Sequence, residues 1–126
     1  MGTATTISVI GSDSSFLGGA IVPGVNLSIN ALASNTSLLQ RVSVEAPKKC
    51  IATNTPDSMK SGAVFGNAAL IDGMIDRIED ELGQKVTVVA TGGLASTIIP
   101  FCRREIVCDE DLLLKGLWIL YQKNMK

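Results

Sequence analysis

The start of the chain carries β-branched and apolar residues that alternate with polar ones. Residues 3–10 and 16–22 have this pattern, and the turn-forming run Gly-Ser-Asp-Ser-Ser lies between them at residues 11–15. Thr, Ile and Val favour strands, whereas Gly, Ser and Asp favour turns. The pattern therefore predicts a β-hairpin. Gly18-Gly19 in its second strand indicates a bulge or a close approach of backbone.

The middle of the chain changes to a helical period. After Pro23-Gly24, a short helix is predicted over residues 26–34 with Leu27, Ala31 and Leu32 near one face, and an ordered connection over residues 37–49. The clearest helix starts at Thr55-Pro56, because Thr is a good N-cap and Pro suits the first helical position. Apolar residues then recur at helical spacing at positions 71, 74, 75, 78 and 82.

Gly83 predicts the end of this helix, because glycine readily takes the left-handed conformation of a C-cap. The first half of the helix is rich in small residues, namely Ser61, Gly62, Gly66, Ala68, Ala69 and Gly73. Each glycine in a helix interior costs roughly 1 kcal/mol relative to alanine. We therefore expect a sheet or a partner helix to pack closely against this surface.

The last third alternates short strands and helices. Residues 85–90 predict a buried strand, 94–101 a helix, 105–108 an edge strand, and 112–123 an amphipathic helix with Leu113, Leu117, Leu120 and Tyr121 on one side. The acidic residues of the 55–82 helix and the Asp-Glu-Asp run at 109–111 are interpreted as solvated positions, the latter favoured by the helix dipole. The element order predicts one α/β domain over residues 1–126, with a mixed sheet, an N-terminal hairpin and flanking helices.

Composition excludes several classes of function. The 126 residues are 46% hydrophobic and 18% charged with a net charge of -1, and basic residues are scattered, which argues against disorder and against a nucleic-acid surface. There is no histidine, which removes the commonest acid–base group and most zinc sites. The three cysteines form no CxxC pair and indicate reduced thiols in a cytoplasmic protein. No apolar run reaches the roughly 20 residues of a membrane helix.

Two glycine-bearing turns are candidate phosphate or nucleotide contacts. Gly2-Thr3 opens the first strand, where backbone N–H groups and a Thr hydroxyl could contact phosphate oxygens, although Thr-rich runs are also ordinary strand sequence. Gly92-Gly93 directly follows a predicted strand, where a nucleotide could lie against a bare backbone, or where a tight turn simply needs glycine. No residue pair offers a convincing acid–base couple, so no catalytic residue and no metal ligand is assigned.

Taken together, these stretches resemble type III pantothenate kinase, a family of the actin/hexokinase/Hsp70-like superfamily. The matching segments are GTATT at 2–6, LGGAIVPGVNLS at 17–28, Asn54-Thr55 with the Ser-Gly and Gly that follow, VVATGGLA at 88–95, and LLLKGLWILYQKN at 112–124. They agree with the family in order and spacing, and they correspond to its C-terminal half. The resemblance implies an RNase H-like, actin-like ATPase domain that is the second of two, with the first domain absent from this sequence.

The family implies ATP-dependent phosphorylation of pantothenate to 4'-phosphopantothenate in coenzyme A biosynthesis. Thr3, with Gly2, matches the position that contacts ATP phosphates, and Gly92 and Gly93 match the superfamily's adenosine-side turn. Thr55 matches the residue that binds pantothenate near the interface of a homodimer. The family also uses Mg²⁺ and a monovalent cation, K⁺ or NH₄⁺.

The same resemblance implies that essential groups lie outside these residues. Met1 occupies the x position of the Asp-x-Gly-Thr-Ala motif, so the cation-binding Asp would precede residue 1. The catalytic Asp, a general base on the pantothenate hydroxyl, belongs to the family's first half. We therefore expect the 126-residue polypeptide alone to be inactive, as either a truncated product or one part of a split pair with a separate N-terminal half. A non-catalytic accessory or regulatory relative, or a homodimeric binding module, are the alternatives.

Overall fold

The computed structural model describes residues 1–125 and opens with an antiparallel hairpin. Strand β1 (Ala4–Ile10) pairs with β2 (Phe16–Pro23), and the register shifts between Val9 and Ile10. A Cβ on Gly19 would lie only 1.8 Å from the carbonyl oxygen of Ile7. The close backbone approach predicted at Gly18-Gly19 is thus confirmed, because no side chain fits between the strands there.

Three helical segments follow the hairpin. Helix α1 spans Val25–Asn35, α2 spans Thr55–Ser61 and α3 spans Asn67–Leu82. The sequence predicted one α-helix over 55–82, but a π-helical turn at Gly62–Gly66 separates α2 from α3. Gly83 ends α3 as predicted: its φ is 70°, and its N–H donates to the carbonyl of Glu79 at 2.9 Å.

The core lies where α1, the π turn, α3 and α4 (Ala95–Ile98) meet. Its buried members are Val25, Ile29, Ala63, Val64, Ala68 and Ile98. Of the small residues predicted to pack closely, Ser61 and Ala68 are buried, whereas Ala69 is exposed, so the prediction is confirmed only in part. Gly62, Gly66 and Gly73 differ, because a Cβ at each would meet nothing within 4 Å in the described chain.

The predicted single mixed sheet is replaced by two separate two-stranded sheets in residues 1–125. Strands β3 (Val89–Ala90) and β4 (Val107–Cys108) are parallel and shorter than predicted. The N–H of Val86 donates to the Glu79 carboxylate at 2.9 Å, so the start of the predicted strand is bound by a helix side chain. A hydrogen bond links the residue before β1 to the residue after β3: the Met1 nitrogen donates to the Thr91 carbonyl at 2.8 Å.

The last helix, α5 (Leu112–Asn124), has no buried residue. The predicted apolar side with Leu113 and Leu117 is exposed, because no other element of the described chain packs substantially against it. Helix α4 is continued by a 3₁₀ turn at Ile99–Phe101, within the predicted 94–101 helix. Across residues 1–125, no helix is both long and apolar enough to cross a membrane.

Candidate functional site

The first three residues, which include the Gly2-Thr3 turn, lie between Gly24 and Gly92. The N–H of Gly24 donates to the Thr3 carbonyl at 3.0 Å, and a Cβ on Gly24 would lie 2.3 Å from that oxygen. On the other side, a Cβ on Gly92 would lie 2.4 Å from the Met1 carbonyl oxygen. The Gly2-Thr3 and Gly92-Gly93 turns are therefore neighbours in the fold, although 90 positions separate them in the chain.

This junction has an open side. A Cβ at Gly2 or at Gly93 would meet nothing within 4 Å, so a ligand could approach the backbone at both. Thr3 is exposed, and its hydroxyl makes no hydrogen bond to another group among residues 1–125. An exposed hydroxyl such as that of Thr3 is suited to anionic oxygens, whereas the Gly2 N–H already donates to the Ala4 carbonyl at 3.2 Å.

A groove of about 550 Å³ runs from the end of the hairpin to the start of α2. This volume is within the range of small-molecule sites. The lining is mainly apolar, with a few polar groups at the α2 and α3 side. Its members include Val22, Pro23, Ile29, Leu32, Leu39, Thr55, Ser58, Met59, Asn67 and Leu70. Pro23 immediately precedes Gly24, so one end of the groove borders the turn that contacts Thr3.

Thr55 lines this groove with a hydroxyl that capping does not use. The N-cap of α2 is Asn54, whose Oδ1 accepts the N–H of Asp57 at 2.9 Å. The prediction that Thr55 caps the helix was wrong, because an Asn one residue earlier fills that role and Thr55 becomes the first helical residue. Thr55 is exposed, and its side chain has no hydrogen-bond partner within the described part of the chain.

The acidic face of α3 has a structural role that the sequence did not indicate. The Asp72 carboxylate accepts the N–H groups of Arg103 at 2.8 Å and Arg104 at 3.0 Å. The Arg104 guanidinium pairs with Asp76 and Glu79. Its hydrogen bond holds the pKa of Glu79 below the usual value. These residues fix the segment before β4 rather than forming part of the groove.

The 109–111 run was predicted to be a solvated helix N-terminus. The prediction is confirmed for Glu110 and Asp111, which are exposed directly before α5. Asp109 in addition accepts the N–H of Asp111 at 3.0 Å and pairs with Lys115 at 2.8 Å. The Lys115 hydrogen bond lowers the pKa of Asp109 below its ordinary value. This cluster orients the start of α5 and lies away from the groove lining.

The described residues do not form a metal site. No group of three or more Asp, Glu, Cys or His side chains in residues 1–125 converges closely enough to hold an ion. Neither Mg²⁺ nor a monovalent cation is therefore assigned a ligand among these residues.

Comparison with known proteins gives a consistent result. The family model for type III pantothenate kinase matches residues 1–77. The chain is 47% identical over 129 aligned positions to a type III pantothenate kinase of Rubrobacter xylanophilus, covering 98% of this chain and 49% of that protein. It is 44% identical to one of Dehalococcoides mccartyi, with 98% and 48% covered. The chain thus spans about half the length of the curated relatives it matches.

The fold also matches a solved structure. A putative Baf family transcriptional activator from Campylobacter jejuni superposes with a TM-score of 0.71 at 23% identity, over 98% of this chain and 55% of that one. At this identity the likeness concerns the fold alone. The Campylobacter jejuni protein, too, contains a large portion to which this chain has no counterpart.

Proposed function

Because this chain belongs to the type III pantothenate kinase family, we propose that it forms one wall of a cleft where ATP phosphorylates pantothenate. The product would be 4'-phosphopantothenate, made in the cytoplasm for coenzyme A. Residues 1–126 would constitute the second, RNase H-like domain of the family fold. The observation that carries the proposal is the contact between the two glycine turns beside a groove that contains Thr55.

On the ATP side, we assign Gly2 and Thr3 to the phosphates. The Thr3 hydroxyl is free to donate to a phosphate oxygen, and the absence of a side chain at Gly2 lets that oxygen approach the backbone. Gly92 and Gly93 would lie beside the nucleoside part of ATP. Phosphoryl transfer depends chiefly on positioning and on stabilising charge, and this wall supplies positioning.

On the acceptor side, we assign Thr55 to pantothenate. Its hydroxyl can hydrogen-bond a polar group of the substrate, and the apolar groove wall can contact the aliphatic part. Since Asn54 caps α2, binding through Thr55 would not compete with the hydrogen bonds that hold the helix.

The proton acceptor for the pantothenate hydroxyl is proposed to come from outside these residues. No carboxylate lines the groove between Pro23 and Thr55, and a general base must reach the reacting hydroxyl within hydrogen-bond distance. The purified 126-residue polypeptide is therefore expected to show no turnover with ATP, Mg²⁺, K⁺ and pantothenate. Clear turnover by this polypeptide alone would contradict the assignment.

The positive test adds the portion of the Rubrobacter xylanophilus relative that this chain does not match. Turnover by the mixture is expected. Thr3→Val should raise the KM for ATP and Thr55→Val the KM for pantothenate, each about tenfold, because a lost hydrogen bond costs roughly 1–2 kcal/mol. Thr87→Val is the matched control, since Thr87 is exposed and outside the groove. Equal effects of all three would refute the site.

A homodimer is proposed through the glycine-bearing π-helical turn between α2 and α3. Gly62 and Gly66 line the groove, and a Cβ on either meets nothing within the chain, so a second copy could approach there closely. Gly66→Leu should leave the monomer as stable as the parent but abolish dimers in sedimentation. A variant that remains dimeric would show that this surface is not the interface.

The alternative is a non-catalytic regulatory relative or a binding module. This alternative stays open because a kinase and a non-catalytic relative of the same fold would share the motifs of this chain. Absence of turnover in the reconstituted mixture, with pantothenate binding also absent, would favour this alternative over the kinase.

A further inference from the structure

Helix α5 presents an apolar surface that the rest of the described chain leaves uncovered. Its large apolar side chains are each 41–70% exposed. They are Leu112, Leu113, Leu114, Leu117, Trp118, Ile119, Leu120 and Tyr121. The ion pair of Lys115 with Asp109 ties only the first turn to the preceding loop. A contiguous apolar surface of this kind marks an interaction site.

The distribution of these side chains around the helix identifies the kind of cover that α5 needs. Viewed down the helix axis, with about 100° between successive residues, the apolar side chains form an arc of roughly 160°. Leu120 lies at one edge of the arc, Leu117 near its middle and Trp118 at the other edge. Lys115 and Gln122 lie outside this arc, about 40–60° beyond Trp118, and Ile119 lies on the side of the helix opposite the arc. A coiled-coil contact buries only a narrow apolar seam of each helix. Pairing of α5 with α5 of a second copy would therefore leave much of the arc exposed to solvent. A groove with two walls would cover it.

The relatives supply a candidate for that groove. The matches to the Rubrobacter xylanophilus and Dehalococcoides mccartyi proteins cover 98% of this chain but only 49% and 48% of those proteins. The relatives thus carry the region that contains this helix together with about as much chain again. A portion of that size is enough for a domain with a core and grooves of its own.

We infer that α5 docks in an apolar groove of the half of the family protein that this chain does not span. The contact would be the main attachment between the two halves, with Leu117 and Trp118 near the centre of the buried arc. The inference rests on family membership and on the exposure of α5, and it holds whether or not the assembled halves phosphorylate pantothenate.

Trp118 gives a direct measurement, because it is the only tryptophan in the chain. The 126-residue chain is titrated with the non-matching portion of the Rubrobacter xylanophilus relative, in which any tryptophan is replaced by phenylalanine. Association should shift Trp118 emission to the blue and shield it from acrylamide quenching. Leu117→Asp should weaken association at least about 30-fold, which corresponds to about 2 kcal/mol for a central interface residue.

Gln122→Asp is the matched control, because it puts the same charge on the same helix outside the apolar arc, and it should leave the affinity within about twofold. Far-UV circular dichroism of both variants checks that each remains folded. Three results would overturn the inference: no association, association that leaves Trp118 as quenchable as before, or shielding of Trp118 by self-association of the chain alone. A shielded Trp118 without kinase turnover would refute the proposed function only.

Discussion

Replacing Gly92 by alanine tests whether the junction of the two glycine turns is a structural requirement. Gly92 has a φ of 110°, which lies outside the small left-handed region open to other residues. A Cβ at this position would also lie 2.4 Å from the Met1 carbonyl oxygen and 2.5 Å from its nitrogen. Both atoms belong to the backbone, so the clash cannot be relieved by rotating a side chain.

The size of the effect follows from two terms. Holding alanine at such a φ costs about 1–3 kcal/mol. Moving Met1 away breaks the 2.8 Å hydrogen bond to the Thr91 carbonyl, which is worth about 0.5–1.5 kcal/mol. Alanine recovers about 0.4–1 kcal/mol by restricting the unfolded chain. We expect Gly92→Ala to lower the free energy of unfolding by about 2–3 kcal/mol, a large part of the ~5–15 kcal/mol typical of a domain.

Urea unfolding followed by far-UV circular dichroism measures this change. With a slope of about 1.5–2 kcal/mol per molar urea, the midpoint should fall by about 1–2 M. Gly93→Ala is the matched control, because a Cβ there meets nothing within 4 Å and its φ is not positive. The reasoning is refuted if Gly92→Ala unfolds at the parent midpoint, or if the Gly93 variant loses as much.

Three further predictions follow from local contacts. Asn54→Ala should lower the free energy of unfolding by about 1 kcal/mol, because the N-cap of α2 is lost. Thr55→Val should change it by no more than about 0.5 kcal/mol. If both variants lower the urea midpoint equally, Asn54 is not the sole cap. Glu79→Gln removes a carboxylate whose pKa Arg104 holds below 4.5. The parent should therefore unfold at a higher urea concentration than this variant above pH 4.5, and the difference should vanish as the pH falls through the lowered pKa. A difference that grows on acidification would contradict the ion pair. Partial burial raises the pKa of the Cys102 thiol to about 11, so at pH 7 a thiol reagent should label the two exposed cysteines faster than Cys102. Equal labelling rates by mass spectrometry would contradict this difference in exposure.

Local features were predictable from the sequence because they depend on residues close together in the chain. The hairpin with its turn at 11–15 is one case, and the left-handed cap at Gly83 is another. Assigning the cap of α2 to Thr55 instead of Asn54 was an error of one residue. Two residues with cap chemistry stood side by side, and only the geometry of the turn distinguishes them.

The core was predicted less well than the elements. The sequence placed Leu27, Ala31 and Leu32 on one face of α1, yet the structure exposes them and buries Val25 and Ile29. A helix with apolar residues on more than one side has several possible inward faces, and the neighbouring π turn and α4 determine which one is buried.

By itself, the sequence determined the order of strands and helices, the family, and which residue types carry candidate chemistry, because steric preferences, turn chemistry and motif spacing act over short stretches. Only the tertiary structure decided that Met1 packs against Gly92, that Pro23 and Thr55 line one groove, and that α5 stays uncovered. Those outcomes depend on contacts between segments far apart in the chain. The free energies of such contacts cannot be predicted from a local sequence pattern.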